Sequence, residues 1–413
     1  MAAVINPRPA ASTSSLGSDA KPELIQKVEG QLGRITGIHL LSKQDEEGFL
    51  TINEDRTLRV LLKRESGQFW PSIIQDLPNV PTKLFCDEDH LCVYVGLVNG
   101  MVLEYSMEAD LNSLSVKRQW NVHTGVVTGL VYSPVLRQVF SCSKDKTLVW
   151  HSSETAQKLG SYPVTSPCTT MQFDDGSKFI FLGDYSGNIY ILRLVGNTVQ
   201  LVSKLSAHTG AITDLAWDAS KQWLFSSSTD SLVIMWDIGG KRGQCYEFNG
   251  HSAKLTRLAL AKDSRRLFSV DETGHLMCWD LKANRIMAPA WRDSDKCELC
   301  DAPFFWNLKV MWDRKIVGVR RHHCRTCGQS VCSNCSDHFT VFPAMGFEKQ
   351  ARICSTCHSK MEKYPEQFDL TPLAVSSELR QGVVEMQLQE SNTRLITVGY
   401  DRIIMLWNVA KML

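Results

Sequence analysis

The chain carries no excess charge of either sign. Its 45 Lys and Arg stand against 44 Asp and Glu, a net charge of +1 over 413 residues. That excludes a global field drawing in nucleic acid or acidic membranes, so any anion site must be a local cluster. No apolar run approaches the roughly 20 residues that span a bilayer. Met1 to Ala20 is rich in Ser, Ala and Pro and lacks an apolar core segment. A secretory signal is therefore not expected, and residues 1–22 are expected to form a disordered leader. Also missing are a Walker loop, a GxGxxG and a Ser/His/Asp set, so the chain does not read as an enzyme.

Cysteine is abundant: the chain has 14. Eight fall in four CxxC pairs, Cys297/Cys300, Cys324/Cys327, Cys332/Cys335 and Cys354/Cys357. Without a secretory signal the expected compartment is the cytosol, where thiols stay reduced and clustered cysteines hold metal rather than disulfides. A CxxC turn places two sulfurs on one ion, so four pairs imply two Zn2+ sites of four thiolates each. With no coordination position left open, the zinc is structural. Spacing alone leaves open which pairs share an ion. Cys86, Cys92, Cys142, Cys168, Cys245 and Cys278 sit in strand-like segments and read as small buried hydrophobes.

The rest of the chain is periodic. Asp230 is followed six residues later by Trp236, and Asp401 by Trp407, each across a turn between two apolar segments. Asp55 to Leu61, Asn99 to Tyr105 and Asp145 to His151 repeat the spacing; Asp184 to Leu192 and Asp271 to Trp279 add two residues. The slots at 61, 105, 151, 192, 236 and 279 lie roughly 41–46 residues apart. Ala207-His208 and Gly250-His251 stand upstream of two of the Asp turns. This pattern resembles the WD repeat, and the resemblance implies a mainly β fold, a seven-bladed propeller of four-stranded sheets. Its His and Asp read as a buried structural network. Between Trp279 and Trp407 the cysteine cluster fills a gap in the period. The expectation is blades one to six over residues 23–285, a zinc module over 289–362 inserted between blades six and seven, and blade seven over 373–413. Leu24–Val28 is expected to close the ring as the missing fourth strand, removing an open sheet edge.

Around the second CxxC pair the chain reads Arg320-Arg321-His322-His323-Cys324-Arg325, and Arg352-Ile353-Cys354 precedes the fourth. These strings resemble the signatures of the FYVE domain. The resemblance implies crossed zinc pairing, Cys297/Cys300 with Cys332/Cys335 and Cys324/Cys327 with Cys354/Cys357. It also implies a pocket for phosphatidylinositol 3-phosphate built from Arg320, Arg321, His322, His323, Arg325 and Arg352. The chemistry suits it, because the planar guanidinium donates a fork of N–H groups to phosphate oxygens. The family's opening Trp-x-x-Asp is altered here to Trp291-Arg292-Asp293-Ser294-Asp295, so Asp293 and Asp295 are both candidates to contact the headgroup. Ile316, Val317, Gly318 and Val319 occupy the position of the family's membrane-insertion loop, although the same four residues suit a short buried strand. Residues 291–362 hold 11 Lys and Arg against 8 Asp and Glu, and two tetrathiolate zinc centres would bring the total to about −1. Binding therefore has to rest on local placement.

Together the two resemblances are to the WD repeat and FYVE domain-containing proteins. They imply a non-enzymatic adaptor in the cytosol and on the early endosome membrane, recruiting signalling or trafficking proteins through the propeller. A homodimer is left open. A RING-like ubiquitin ligase component is the alternative, but RING modules use a His ligand and have no role for the basic string. Nucleic-acid binding is not expected, since no basic helical stripe accompanies the cysteines.

Overall fold

The computed structural model describes residues 20–41, 47–240 and 244–413. Residues 1–19 of the expected leader lie outside them. Ala20, inside the expected leader, is buried in a core cluster with Leu379, Met405 and Met412.

Seven four-stranded antiparallel sheets form the ring. Blade one runs through Ile35–Leu41, Gly48–Asn53, Thr57–Lys63 and Phe69–Asp76. The first strands of successive blades neighbour one another round the axis. Second strands such as Gly48–Asn53 and Arg266–Asp271 are buried along their whole length because blades cover both of their faces. The core lies between blades: Phe268 and Cys278 of blade six pack with Leu395 and Trp407 of blade seven.

Each blade turns between its second and third strands through one left-handed residue: Arg56, Gly100, Lys146, Gly187, Ser231, Gly274 and Arg402. In every blade the Leu61, Tyr105, His151, Leu192, Trp236, Trp279 or Trp407 slot stands five positions later. The two extra residues after Asp184 and Asp271 are therefore absorbed ahead of the left-handed residue, and the third strand keeps its register. The upstream histidines are structural. His208 Nδ1 lies 3.0 Å from Asp230 Oδ2, so it donates to the carboxylate. Its Nε2 is 2.8 Å from Ser226 Oγ, which also accepts from Trp236 Nε1 at 2.9 Å. His251, Asp271, Ser269 and Trp279 repeat the chain in blade six. In blade seven Gln381 replaces the histidine, and Gln381 and Trp407 both donate to Thr397.

Glu23–Val28 forms the outer strand of blade seven, antiparallel to Ile404–Asn408, with Leu24 opposite Trp407 and Val28 opposite Ile404. The zinc module does not fall between blades. Blade six takes three strands before it, Leu255–Ala261, Arg266–Asp271 and His275–Asp280, and its outer strand, Ala374–Glu378, from after it. Residues 374–378 thus belong to blade six, and blade seven begins at Val383. Repeat arithmetic gives only the size of an insertion. The outer strand is short and half exposed, so its pattern gave no sign of which side it lay on.

The module packs on the end of blade five. Asn249, just past the outer strand Gln244–Phe248, pairs in parallel with Phe347 of the module strand Phe347–Ile353. Its N–H donates to Gly346 O at 2.8 Å and its carbonyl accepts from Glu348 N at 3.0 Å. A Cβ on Gly346 would lie 1.6 Å from Glu247 O, and its φ is +87°, so only glycine permits the approach. Beneath, the Arg285 guanidinium lies 4.2 Å from the Phe248 ring centroid and donates to the Pro343 and Asp280 carbonyls. Leu373 N–H donates to Glu348 Oε1 at 2.9 Å, fastening the exit of the module to its own strand. Burial lowers Arg285 to about 10 and raises Glu348 to about 7.

Candidate metal centres and anion cleft

Two sulfur quartets form: Cys297, Cys300, Cys332 and Cys335, and Cys324, Cys327, Cys354 and Cys357, each with its ligand atoms within 4.8 Å of one another. Four sulfurs at that spacing fit a tetrahedral Zn2+. The backbone N–H groups of Cys332 and Cys354 donate to Cys297 and Cys324 Sγ at 3.3 and 3.2 Å, favouring thiolates. The Cys324 thiol is held far below its ordinary value, first by hydrogen bonding to Cys327. Around the quartets the apolar core is small, chiefly Phe304, Val331 and Ile353, so metal supplies what packing cannot. A third group, His251, Asp271 and His275, has comparable spacing, but both His251 nitrogens are already hydrogen-bonded in blade six.

The first CxxC of one quartet places the basic string. His322 and His323 pair with Val331 and Ser330, and Arg325 N–H donates to the Arg352 carbonyl at 3.0 Å, drawing the two signatures together. A cleft of about 370 Å3 results, lined by Arg321, His322, His323, Arg325 and Arg352. Trp291, Lys349, Gln350 and Asn249 also line it, and no carboxylate does among the described residues. Arg320 is exposed and is not a lining residue, so it stands apart from the other predicted arginines.

The cleft side chains are held in place before any ligand arrives. Trp291 stacks on His323 with centroids 4.6 Å apart, and Arg325 lies 4.4 Å from the centre of the Trp291 ring. Arg352 lies over Phe339 at 4.8 Å and donates to Ser336 O. His323 Nε2 is 3.2 Å from the Arg292 carbonyl, so that nitrogen carries a proton. Burial, then the charges of Arg352 and Arg320, holds His322 below the ordinary imidazole value.

Asp293 and Asp295 do not line this cleft. Asp293 pairs with Arg321, Asp295 accepts from Trp306 Nε1 at 3.1 Å, and both line a separate hollow with Ser294. Of the predicted insertion loop, Val317 is 80% exposed and Ile316 42%, whereas Gly318 is buried and Val319 bridges Phe304. A helix, α1 (Leu308–Arg314), precedes the loop, with Leu308 and Trp312 exposed one turn apart. Trp291 as a stacking residue, Lys349, Gln350 and Asn249 were missed from sequence. The first three lie beside recognised signatures; Asn249 carries no local signal at all.

Fold and site define the class: a WD-type propeller bearing a two-zinc FYVE module. The FYVE zinc finger family model matches residues 290–363, and the WD domain, G-beta repeat model matches 114–151, 199–237 and 242–280. The chain is 48% identical over 409 residues to WD repeat and FYVE domain-containing protein 2 of Caenorhabditis elegans, covering 99% of this chain and 97% of that protein. It is 36% identical to the Homo sapiens protein of the same name, over 99% of each. To WD repeat and FYVE domain-containing protein 1 of Homo sapiens it is also 36% identical, over 99% of this chain and 96% of the other. The chain belongs to the WD repeat and FYVE domain-containing protein family.

Proposed function

We propose that the chain is a phosphatidylinositol 3-phosphate-binding adaptor of the early endosome, peripheral on the cytosolic face, with the propeller recruiting signalling or trafficking proteins. The supporting observation is the cleft, where three arginines, Lys349 and two histidines converge with no carboxylate among the described lining residues. Guanidinium forks bind phosphate oxygens bidentately. No helix among the described residues is long and apolar enough to cross a membrane, so attachment through the module suits the chain.

The exposed tip supplies the second half of the anchor. Ile316, Val317, Leu308 and Trp312 leave water together when the module meets a bilayer, each buried CH2 contributing about 0.8 kcal/mol. Headgroup and tip are each weak alone, so binding requires both. The serines and histidines of the propeller's Ser226–His208–Asp230 and Ser269–His251–Asp271 chains are buried, with the serines tied to Trp236 and Trp279, which supports a scaffold rather than a catalyst.

Pelleting with phosphatidylcholine vesicles containing each phosphoinositide tests the reading. Wild type should sediment with the 3-phosphate and Arg321→Ala should not. Equal sedimentation of the two proteins refutes the assignment.

A further inference from the structure

We propose that the headgroup site is shared between the two parts of the chain, and that Asn249 of the propeller binds a hydroxyl of the inositol ring. The inference rests on the lipid reading above and concerns how that same cleft recognises the sugar.

A phosphorylated inositol presents two chemistries. Phosphates call for cations, and Arg321, Arg325, Arg352 and Lys349 line the cleft to meet them. Ring hydroxyls both donate and accept, so a carboxylate, an amide or a neutral imidazole can partner them. The two acids expected at the headgroup are engaged elsewhere, Asp293 with Arg321 and Asp295 with Trp306, and neither lines the cleft. The side-chain amides lining it are those of Gln350, from the module, and Asn249, from the propeller.

Asn249 is the better placed of the two because its main chain is fixed from every side. Its N–H and C=O are both spent on Gly346 and Glu348. The residue before it, Phe248, is fully buried and stacks on Trp279 with centroids 5.2 Å apart. After it comes buried Gly250, where a Cβ would lie 2.7 Å from Met277 and 2.8 Å from Trp279. One further tie spans the joint, from Lys349 Nζ to Ser252 Oγ. A residue so held loses little freedom when a ligand arrives, the condition under which one hydrogen bond adds most to affinity. Its side-chain amide has no hydrogen-bond partner among the described residues, so the group is available.

Calorimetry on the full chain tests the proposal, with soluble inositol 1,3-bisphosphate and inorganic phosphate titrated in parallel. Asn249→Ala keeps both main-chain bonds, so its melting temperature should match wild type. Headgroup affinity should fall about 5–10-fold, the loss of one hydrogen bond, while phosphate binding is unchanged. Asn249→Ser, which restores a donor and acceptor, should recover part of the loss. Unchanged headgroup affinity in Asn249→Ala overturns the shared site and leaves the lipid reading intact. Equal losses for headgroup and phosphate overturn the hydroxyl role. If wild type binds inositol 1,3-bisphosphate no better than phosphate, the lipid reading itself fails, and this inference with it.

Discussion

The Trp291 indole lies within 12° of parallel to the His323 imidazole, and Arg325 covers the same indole. The tryptophan thus orients two members of the basic string at once. Stacking and cation–π contacts of this kind contribute about 0.5–1.5 kcal/mol each. Trp291→Ala should therefore weaken soluble headgroup binding about tenfold. Zinc content should stay at two ions per chain, measured by elemental analysis; loss of zinc would mean that Trp291 serves folding instead.

Val317 stands at the tip of the module, outside the cleft. Val317→Asp should cut binding to vesicles carrying the 3-phosphate at least tenfold, because a charge must then enter the acyl boundary. Affinity for soluble inositol 1,3-bisphosphate should not change. Parallel losses in both assays would count against insertion.

Metal and fold are linked in the module and separate in the ring. Cys324→Ser should lose one zinc, and a strong chelator both, with the module losing structure as its small core is left unsupported. The propeller cores contain none of these cysteines. A thermal scan should therefore keep a high-temperature transition after chelation.

Glu348 gives the joint a pH dependence. Its folded value is raised to about 7, chiefly by burial, with Arg285 and the Leu373 N–H opposing. Between the ordinary glutamate value and about 7, the folded chain holds more protons than the unfolded one, so this contribution is complete at low pH and declines as pH rises. Glu348→Gln keeps the acceptor for Leu373 and removes the titration. Its melting temperature should exceed that of wild type at pH 8, and the difference should shrink toward pH 5. A constant difference would remove Glu348 from the explanation.

Deleting residues 1–29 exposes the third strand of blade seven and removes Val28 from the core it shares with Phe49 and Ile404. Melting should fall by several degrees, since a loss of 1 kcal/mol lowers it about 2–4 °C in a domain of 150–250 residues and a whole outer strand contributes more than that. An unchanged value would deny the closing strand any role in stability.

Much of this architecture was legible in the residues because its physics is local. Asp230 to Trp236 and Asp401 to Trp407 report a turn and a strand of set length, and CxxC reports a metal knuckle. Leu24–Val28 was legible as an apolar strand lacking a partner. The course of the chain at blade six was not, because Ala374–Glu378 is half exposed and carries weak pattern. Asp293 and Asp295 could be named as acids near a basic string, but ion pairing with Arg321 and the Trp306 hydrogen bond are settled in three dimensions. Asn249 was invisible for the same reason, since its place in the cleft comes entirely from a strand joined to it far along the chain.

The path of the chain through blade six also sets an order of assembly. Its third strand, His275–Asp280, leaves the ribosome before the whole zinc module, and its outer strand, Ala374–Glu378, follows it. During synthesis that sheet edge stays unpaired while the cysteines gather their ions. The blade can therefore close only once every residue of the module has been made, and for that interval the ring carries an open edge at His275–Asp280.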